Sequence, residues 1–303
     1  MEDLRGRLER ELAEKKILIM AHRGVCGANI IENTMEAFEL ALRQGADILE
    51  MDVFRTTDGE LFIFHDGTEG YMLGKNCSVK EMTAKEVREQ RLINKTGSRL
   101  EHGIETLDAV LEQFKDRCLI NLDRCWWCWP DVFAAVKRHG MKDQIIFKSA
   151  PEKQYLDCIE AWEKPLMYMP IIWNEEEYQR AAARNLNIVA VESTAWREDS
   201  PVLQREFTET LRKKGIHAMV NALTLASPVY DPETFERNLQ AEGSRFSLVN
   251  GNFYLAGGHD DDTSVLGHPE QGWGWLMDRG FDIIQTNWAR ELSLYRASRL
   301  SSF

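Results

Sequence analysis

The sequence predicts a closed parallel (β/α)8 barrel, the TIM-barrel architecture, with insertions after the second and seventh barrel strands. Eight short apolar segments recur along the 303 residues, and each alternates with a segment of helical periodicity. This alternation is typical of βαβ units that form a parallel sheet. A barrel of ~250 residues with two large loops accounts for the length, so we expect a single domain over residues 1–303.

The predicted strands are short runs of apolar and β-branched residues, and the predicted helices carry apolar residues three or four positions apart. The barrel strands cover 17–21, 47–54, 118–122, 144–147, 166–170, 188–191, 216–220 and 281–285. A return strand over 60–64 follows the Thr57-Asp58-Gly59 turn. The helices cover 3–15, 35–44, 83–90, 106–114, 130–139, 151–162, 175–184, 204–214, 273–279 and 288–299. We expect the first helix to pack on the body of the protein.

Two segments interrupt the alternation. Residues 67–105 are polar and rich in Lys, and we interpret them as an insertion that could serve as a lid. Residues 222–269 form a second insertion, which contains the Gly-rich acidic loop 257–262. Because Gly and Asp dominate solvated turns, a solvated turn is the favoured interpretation of this loop. The alternative is a contact to the substrate's alcohol group or a weak cation site.

Charge and hydropathy exclude several classes of partner. The formal net charge of −12 argues against nucleic acid or an anionic membrane as the main partner. No run reaches the ~18–20 apolar residues of a membrane span, so we expect no stable membrane insertion. Residues 1–16 lack the apolar core of a signal peptide, which predicts a cytoplasmic protein. The oligomeric state is left open.

The six cysteines are scattered through a chain large enough to fold without disulfides, so we expect free thiols. Cys125 and Cys128 form a C-x-x-C pair, but a zinc site needs a second such pair, and the sequence has none. This pair lies among Trp126, Trp127 and Trp129. An exposed patch of these three indoles would favour a lipid substrate.

Nine polar residues stand at or just after the C-terminal ends of predicted strands. They are His22, Arg23, Glu50, Asp52, His65, Asp123, Lys148, Glu192 and Asn221. Ionised groups seldom enter a core unpaired, so packing does not explain this pattern. In barrels of this class the C-terminal ends of the strands meet on the face that carries the active site. The nine residues are therefore candidate site residues.

Three of the nine are acids suited to a cation. Glu50 and Asp52 are two positions apart on one strand, so their side chains point to the same side, and Asp123 would add a third carboxylate. Carboxylates brought together repel unless a cation lies between them. Oxygen ligands suit one divalent cation, Mg²⁺ or Ca²⁺, better than zinc. The alternative is a structural ion-pair network with Arg23, Arg55, Arg124 or Lys148.

The remaining residues suggest acid/base chemistry on an anion. His22 and His65 can divide labour near neutral pH, one imidazole accepting a proton and the other donating one. Arg23 and Lys148 would neutralise a substrate anion, and Glu192 and Asn221 complete the predicted substrate-binding set. A cation, two acid/base groups and cationic contacts together indicate cleavage of a small-molecule phosphodiester. The other histidines, His102, His139, His217, His259 and His268, are expected to be packed or surface residues.

The motifs resemble a known family. His22-Arg23-Gly24, Glu32-Asn33-Thr34, Glu50-x-Asp52, Thr57-Asp58-Gly59 and His65-Asp66 resemble, in order and spacing, the N-terminal signature of glycerophosphodiester phosphodiesterases. The resemblance implies a barrel hydrolase that cleaves glycerophosphodiesters to an alcohol and glycerol 3-phosphate with a divalent ion. It implies an acid/base pair at His22 and His65, a phosphate-binding Arg23, and metal ligands at Glu50, Asp52 and Asp123. It also implies that the substrate's glycerol hydroxyl can attack first and give a cyclic phosphate.

Several positions depart from the family pattern. Asp123 stands where Glu is commoner, Cys125 where many members carry Lys, Ala218 where Trp is common, and Asn287-Trp288 in place of a frequent Asp-Pro. These changes bear on substrate choice more than on chemistry. One alternative is a related barrel enzyme that acts on a sugar phosphodiester or a lysophospholipid and releases a cyclic phosphate. Another is a non-catalytic binding barrel, against which the retained His22 and His65 speak.

Overall fold

Eight parallel strands pair side by side until the last one meets the first, which confirms the predicted (β/α)8 barrel. The computed structural model describes residues 5–162, 165–226 and 252–301. Its strands are β1 (Leu18–His22), β2 (Ile48–Arg55), β3 (Leu61–Ile63), β4 (Leu119–Asp123), β5 (Ile145–Ser149), β6 (Met167–Ile172), β7 (Ala190–Ser193), β8 (His217–Asn221), β9 (Thr224–Ala226), β10 (Asn252–Tyr254) and β11 (Ile283–Thr286). The barrel order is β1-β2-β4-β5-β6-β7-β8-β11, and β11 closes it against β1.

Helices connect the strands, and the predicted ones are found within a few residues of their expected bounds. They are α1 (Gly6–Lys15), α2 (Met35–Arg43), α3 (Glu69–Met72), α4 (Ala84–Arg88), α5 (Leu107–Phe114), α6 (Trp129–His139), α7 (Lys153–Glu160), α8 (Glu175–Ala182), α9 (Arg205–Lys213), α10 (Asp261–Val265), α11 (Trp273–Asp278) and α12 (Ala289–Leu300). The Thr34 and Thr106 side chains accept hydrogen bonds from the first turns of α2 and α5, as N-caps do. The short α3 and α10 were not predicted, because one helical turn carries too little periodicity.

The barrel strands extend one or two residues beyond their predicted C-terminal ends. The predicted strand 118–122 stopped before Asp123, whereas the backbone ladder between β2 and β4 continues to the pair of Asp52 and Asp123. Ladder hydrogen bonds join backbone groups, so a polar side chain does not interrupt them. The candidate site residues of β2 and β4 are therefore part of the rigid barrel rather than of the loops that follow it.

The barrel interior has an apolar lower layer and a polar upper layer. Leu8 and Leu12 of α1 are buried against the lower layer and close that end of the barrel, which confirms that α1 packs on the protein. The lower layer includes Leu18, Met20, Ile48, Leu119, Ile146, Ala190 and Met219. Two or four positions further along the same strands come His22, Glu50, Asp52, Asp123, Lys148, Glu192 and Asn221. Because side chains alternate along a strand, the polar set faces the same interior at the opposite end.

The first insertion packs on the hairpin formed by β2 and β3. Met72, Leu73 and Val79 of the insertion share a small apolar core with Phe54 and Phe62 of the hairpin. This contact holds the insertion next to the C-terminal end of β2, while its service as a lid remains a prediction.

The second insertion, predicted over 222–269, is described in part, since residues 227–251 lie outside the described ranges. Its two flanks pair as the antiparallel strands β9 and β10. None of the helices in the described ranges has the length and apolar character that crossing a membrane requires.

The cysteines and the Trp-rich run are structural. All six cysteines are free thiols, as expected. Cys125 and Cys128 are buried, and burial raises the pKa of Cys128 to about 12, which disfavours the thiolate that redox or zinc chemistry needs. Trp129 is fully buried, whereas Trp127 is 38% exposed. The three indoles therefore do not form an exposed patch.

Candidate active site

Three carboxylates converge at the upper end of the barrel. Glu50 and Asp52 come from β2 and Asp123 from β4, and Asp52 pairs with Asp123 in the strand register. One oxygen from each of the three lies within 4.8 Å of the others. Glu50 and Asp52 are each only 1% exposed. The three acids therefore lie close together, as the alternation of side chains along the strands predicts.

The charge of this cluster is only partly balanced. Burial, reinforced by the charge of Asp52, raises the pKa of Glu50 well above its usual range. Its buried Oε1 atom has no hydrogen-bond partner among the described residues. Buried polar atoms are rarely left in this state, because each costs about 1–3 kcal/mol. An oxygen-only set with an unpaired buried oxygen fits a hard divalent cation.

Arg23 and Asn33 fix the rim of the cluster through unusual backbone conformations. Arg23 and Asn33 both have left-handed φ angles, 56° and 59°. The Arg23 backbone N–H donates to Glu50 Oε2 at 2.9 Å, and its Nε lies 3.1 Å from Asp52 Oδ2. Asn33 Nδ2 donates to the same Asp52 oxygen at 2.8 Å. Burial opposes ionisation of Asp52, but Arg23, the neighbouring imidazoles and the hydrogen bond from Asn33 together outweigh it and lower the pKa of this carboxyl.

The Arg23 side chain is also held by the Glu32-Asn33-Thr34 motif, because its Nη1 donates to Glu32 Oε1 at 2.9 Å. Gly24 is required here, since it has φ +79° and a Cβ would lie 2.6 Å from the Ala37 carbonyl carbon. The spacing of the two motifs thus has a direct structural reason.

Lys148 is buried at the base of the site. Its Nζ lies 2.9 Å from Asp123 Oδ2 and 3.3 Å from Glu192 Oε2. Burial lowers the pKa of Lys148, but the two carboxylates outweigh it and hold the pKa above its usual value. Asn221 accepts a hydrogen bond from the Leu223 N–H at 3.2 Å. The positive charge of Lys148 therefore offsets part of the negative charge of the carboxylates. Substrate contact by Lys148, Glu192 and Asn221 remains a prediction.

Both predicted histidines reach the same cluster. His22 pairs with Glu50 in the register, and the Phe64 N–H donates to the Asp52 carbonyl, which sets His65 beside β2. Burial, together with the charge of Arg23, lowers the pKa of His22 to about 3. Burial also lowers the pKa of His65, although Asp52 opposes the shift. Burial therefore favours the neutral form of both imidazoles.

Several residues lie at the site although the sequence did not predict a site role for them. Asp66 accepts from Arg124 Nε at 2.7 Å, and Lys80 of the first insertion lies 2.5 Å from its other oxygen. Asn287 Oδ1 lies 3.0 Å from His22 Nδ1. Asn287 was noticeable in the sequence only as a departure from a family pattern, while Lys80 carried no signal at all.

The loop 257–262 is not a solvated turn, and that interpretation is wrong for two of its acids. Asp260 and Asp261 are each 1% exposed. Asp260 caps α10 by accepting from the Thr263 N–H at 2.9 Å. Asp261 accepts three hydrogen bonds, and Gly257 approaches the Glu198 backbone too closely for a Cβ. A Gly- and Asp-rich composition cannot distinguish these buried contacts from a turn in water.

Four of the remaining histidines form local pairs and His268 is exposed, as expected for packed or surface residues. His102 lies between Glu36 and Glu105, at 3.6 and 3.1 Å. His217 contacts Asp282 and Glu9, and the His259 ring stacks on Trp275 at 3.6 Å. The Glu36, His102 and Glu105 group is a second cluster with ligand atoms close together, but it lies in ordinary ion pairs at the surface.

Two cavities open beside the cluster. One, of about 440 Å³, is lined by His22, Arg23, Glu32, Lys95 and Asn287 among others. The second, of about 470 Å³, shares Cys26, Glu32 and Lys95 with the first. Its remaining walls are mainly apolar and include Ile30, Ile31, Met72 and Ile93. A polar cleft at the imidazole thus continues into an apolar one under the first insertion.

Solved structures of known proteins share this fold. A glycerophosphoryl diester phosphodiesterase of Parabacteroides distasonis superposes with a TM-score of 0.66 at 18% identity, over 94% of this chain and 87% of that one. An Oleispira antarctica phosphodiesterase, solved in complex with the product sn-glycerol-3-phosphate, gives 0.57 at 15% identity, over 93% and 96%.

Curated relatives match part of the chain. A glycerophosphodiester phosphodiesterase of Caldanaerobacter subterraneus is 36% identical over 142 residues, 44% of this chain and 58% of the relative. One of Bacillus altitudinis is 38% identical over 143 residues, 43% and 57%. A lysophospholipase D of Mus musculus is 29% identical over 137 residues, 44% and 38%. The chain spans little more than half the length of the first two.

Family models match two consecutive segments. A domain of unknown function matches residues 246–296. The model of the glycerophosphoryl diester phosphodiesterase family matches residues 22–229, which include every candidate site residue named from the sequence. Because this match covers more than half of the chain, the chain belongs to the glycerophosphoryl diester phosphodiesterase family.

Proposed function

We propose that the protein hydrolyses glycerophosphodiesters to an alcohol and glycerol 3-phosphate and depends on a divalent cation. The observation that carries the proposal is the meeting of Glu50, Asp52 and Asp123 within 4.8 Å at the end of the barrel where His22 and His65 lie. The phosphodiesterase relatives and the product bound to the Oleispira enzyme support the same chemistry.

Glu50, Asp52 and Asp123 would hold the cation, and their oxygen-only chemistry favours Mg²⁺ or Ca²⁺. A bound divalent cation supplies charge stabilisation at a phosphoryl oxygen. Arg23 is oriented by Glu32 and Asp52, so its guanidinium is already in place for a phosphate anion. Because the guanidinium already has this orientation, it does not have to reorient during the reaction.

The two imidazoles move the protons. His22, neutral before substrate binds, accepts the proton of the attacking hydroxyl as that oxygen bonds to phosphorus. His65, which takes up a proton once the bound phosphate raises its pKa, donates that proton to the alcohol oxygen as its bond to phosphorus breaks. The attacking hydroxyl belongs to water, or to the substrate's glycerol, in which case a cyclic phosphate forms and water then opens it. Negative charge on the bound phosphate raises the pKa of both rings toward the working range.

An assay of glycerol 3-phosphate release tests this proposal. The purified protein is incubated with glycerophosphocholine, glycerophosphoethanolamine and glycerophosphoglycerol after treatment with EDTA. We expect no release in the chelated protein and recovery on addition of Mg²⁺ or Ca²⁺. Full activity in the chelated protein would contradict metal dependence. Absence of release from every substrate under every condition would contradict the proposed activity.

A second candidate substrate, a lysophospholipid, is favoured by the apolar cavity. A cavity of about 470 Å³ is within the usual size of small-molecule sites, ~300–1,000 Å³. Because it adjoins the cleft at His22 through Cys26, Glu32 and Lys95, an acyl chain on the substrate could lie against Ile30, Met72 and Ile93. Deacylated substrates would leave this surface without a partner.

Comparison of lysophosphatidylcholine with glycerophosphocholine tests the second candidate. If the acyl chain uses the cavity, Ile93→Ser should lower kcat/KM for the lysophospholipid by about 10-fold, since apolar contacts are each worth ~1–3 kcal/mol. Activity on glycerophosphocholine should stay within about 2-fold, because that substrate has no chain to place. Leu266→Ser, at an exposed residue away from the cavity, is the matched control. Equal losses on both substrates would contradict acyl binding here.

A further inference from the structure

We infer that the segment matched by the domain of unknown function completes the catalytic site by holding Asn287 against His22. This inference rests on the proposed function. The segment, described from residue 252 to 296, lies outside the residues matched by the phosphodiesterase family model. It nevertheless contributes β11, the strand that closes the barrel between β8 and β1.

The register of β11 explains why the segment reaches the site. Thr286, its last residue, pairs with Ala21, which precedes His22. The next residue, Asn287, therefore stands beside His22, and its Oδ1 lies 3.0 Å from His22 Nδ1. Strand pairing places Asn287 next to His22. It does not determine the conformation of the turn that directs the Asn287 side chain toward the imidazole.

Asp261 fixes the turn. Its Oδ2 accepts from the Asn287 N–H at 2.8 Å, and its Oδ1 accepts from Thr286 Oγ1 at 2.7 Å and Trp273 Nε1 at 2.9 Å. The Asp261 N–H donates in turn to the Ala222 carbonyl at the end of β8, at 2.7 Å. A carboxylate that is 1% exposed is costly unless hydrogen-bonded, and two of the three bonds that this carboxylate accepts come from the turn at Asn287.

The contact to His22 determines where the imidazole carries its proton. An amide oxygen only accepts hydrogen bonds, so Nδ1 of a neutral His22 must donate. The lone pair then lies on Nε2, which is the form that a general base requires. Asn287 sets this tautomer without adding a negative charge beside the three carboxylates. Asn287 and Asp261 are thus positioning residues that act through His22.

Variants at Asn287 test the inference without disturbing the fold, because this side chain is exposed. Asn287→Leu keeps the shape but removes the acceptor, and we expect kcat to fall about 10- to 100-fold, the usual effect of losing such a partner, with KM nearly unchanged. Asn287→Asp retains an acceptor and should keep most of kcat. Asp261→Ala should lower kcat in the same direction, whereas Asp262→Ala, at the exposed neighbour, should not.

The imidazole ¹⁵N spectrum of His22, in the metal-free protein, gives a readout that activity does not influence. The signal is assigned by its loss in His22→Ala. We expect the Nδ1–H tautomer in the wild type and in Asp262→Ala, and a shift toward Nε2–H in Asn287→Leu. A wild-type Nε2–H tautomer, or an Asn287→Leu variant with unchanged spectrum and kcat, would overturn the inference. Inactivity of the wild type would count against the proposed function alone, since the spectrum is read independently.

Discussion

Replacement of His22 by Ala is expected to lower kcat for glycerol 3-phosphate release by about 10²- to 10⁴-fold, the usual contribution of a positioned general base. KM should change little, because the ring acts on the proton rather than on the phosphate. His65→Ala should show a loss of similar size on natural substrates. Steady-state kinetics on glycerophosphocholine measure both effects.

The leaving group separates the two roles. A p-nitrophenyl ester of glycerol 3-phosphate leaves as a stable anion and needs no proton, so His65→Ala should lose little activity on it. His22→Ala should remain impaired on both substrates, because attack still needs a base. His102→Ala is the matched control, since this imidazole pairs with Glu36 and Glu105 instead of the site. Equal losses of both variants on the activated ester would contradict the assigned roles.

Replacement of Glu50 by Gln is expected to lower kcat about 10³-fold or more. A bound cation contributes several kcal/mol of transition-state stabilisation, and each 1.4 kcal/mol is worth a factor of 10. The same variant should melt at a higher temperature than the wild type when both are metal-free, because it removes a buried carboxylate that repels Asp52. Activity assays and differential scanning calorimetry in EDTA measure the two effects.

The opposite signs of these two effects distinguish a metal ligand from a structural ion pair. If Glu50 belonged to a structural network, Glu50→Gln would lower the melting temperature of the metal-free protein. Glu36→Gln is the matched control, because Glu36 belongs to the other carboxylate and histidine cluster. It should leave both metal dependence and kcat unchanged. A metal-free Glu50→Gln protein that melts below the wild type would contradict the assignment.

The sequence sufficed to predict the fold and the acidic cluster because both follow from local rules. Alternation of side chains along β2 puts Glu50 and Asp52 on one face, and the parallel order of the strands puts Asp123 beside them. His22 and His65 were predicted from their places at strand ends. None of these expectations needed knowledge of contacts between distant loops.

The sequence did not suffice where a residue's role depends on a distant partner. Asp261 resembled a solvated loop residue, since its donors on Thr286, Asn287 and Trp273 are set by tertiary packing. Substrate contact by Lys148 stays a prediction, and the sequence did not indicate that its Nζ would lie 2.9 Å from Asp123 and 3.3 Å from Glu192. Composition and spacing carry no information about which of several acids a buried cation will approach.

We propose that Glu50, Asp52 and Asp123 share one divalent cation between two imidazoles. Anomalous diffraction from crystals grown with Mn²⁺, a probe for hard-cation sites, tests it most directly. We predict one strong peak at ~2.0–2.6 Å from an oxygen of each of the three carboxylates. A peak confined to Glu36, His102 and Glu105, or no peak at the end of β2, would contradict the account.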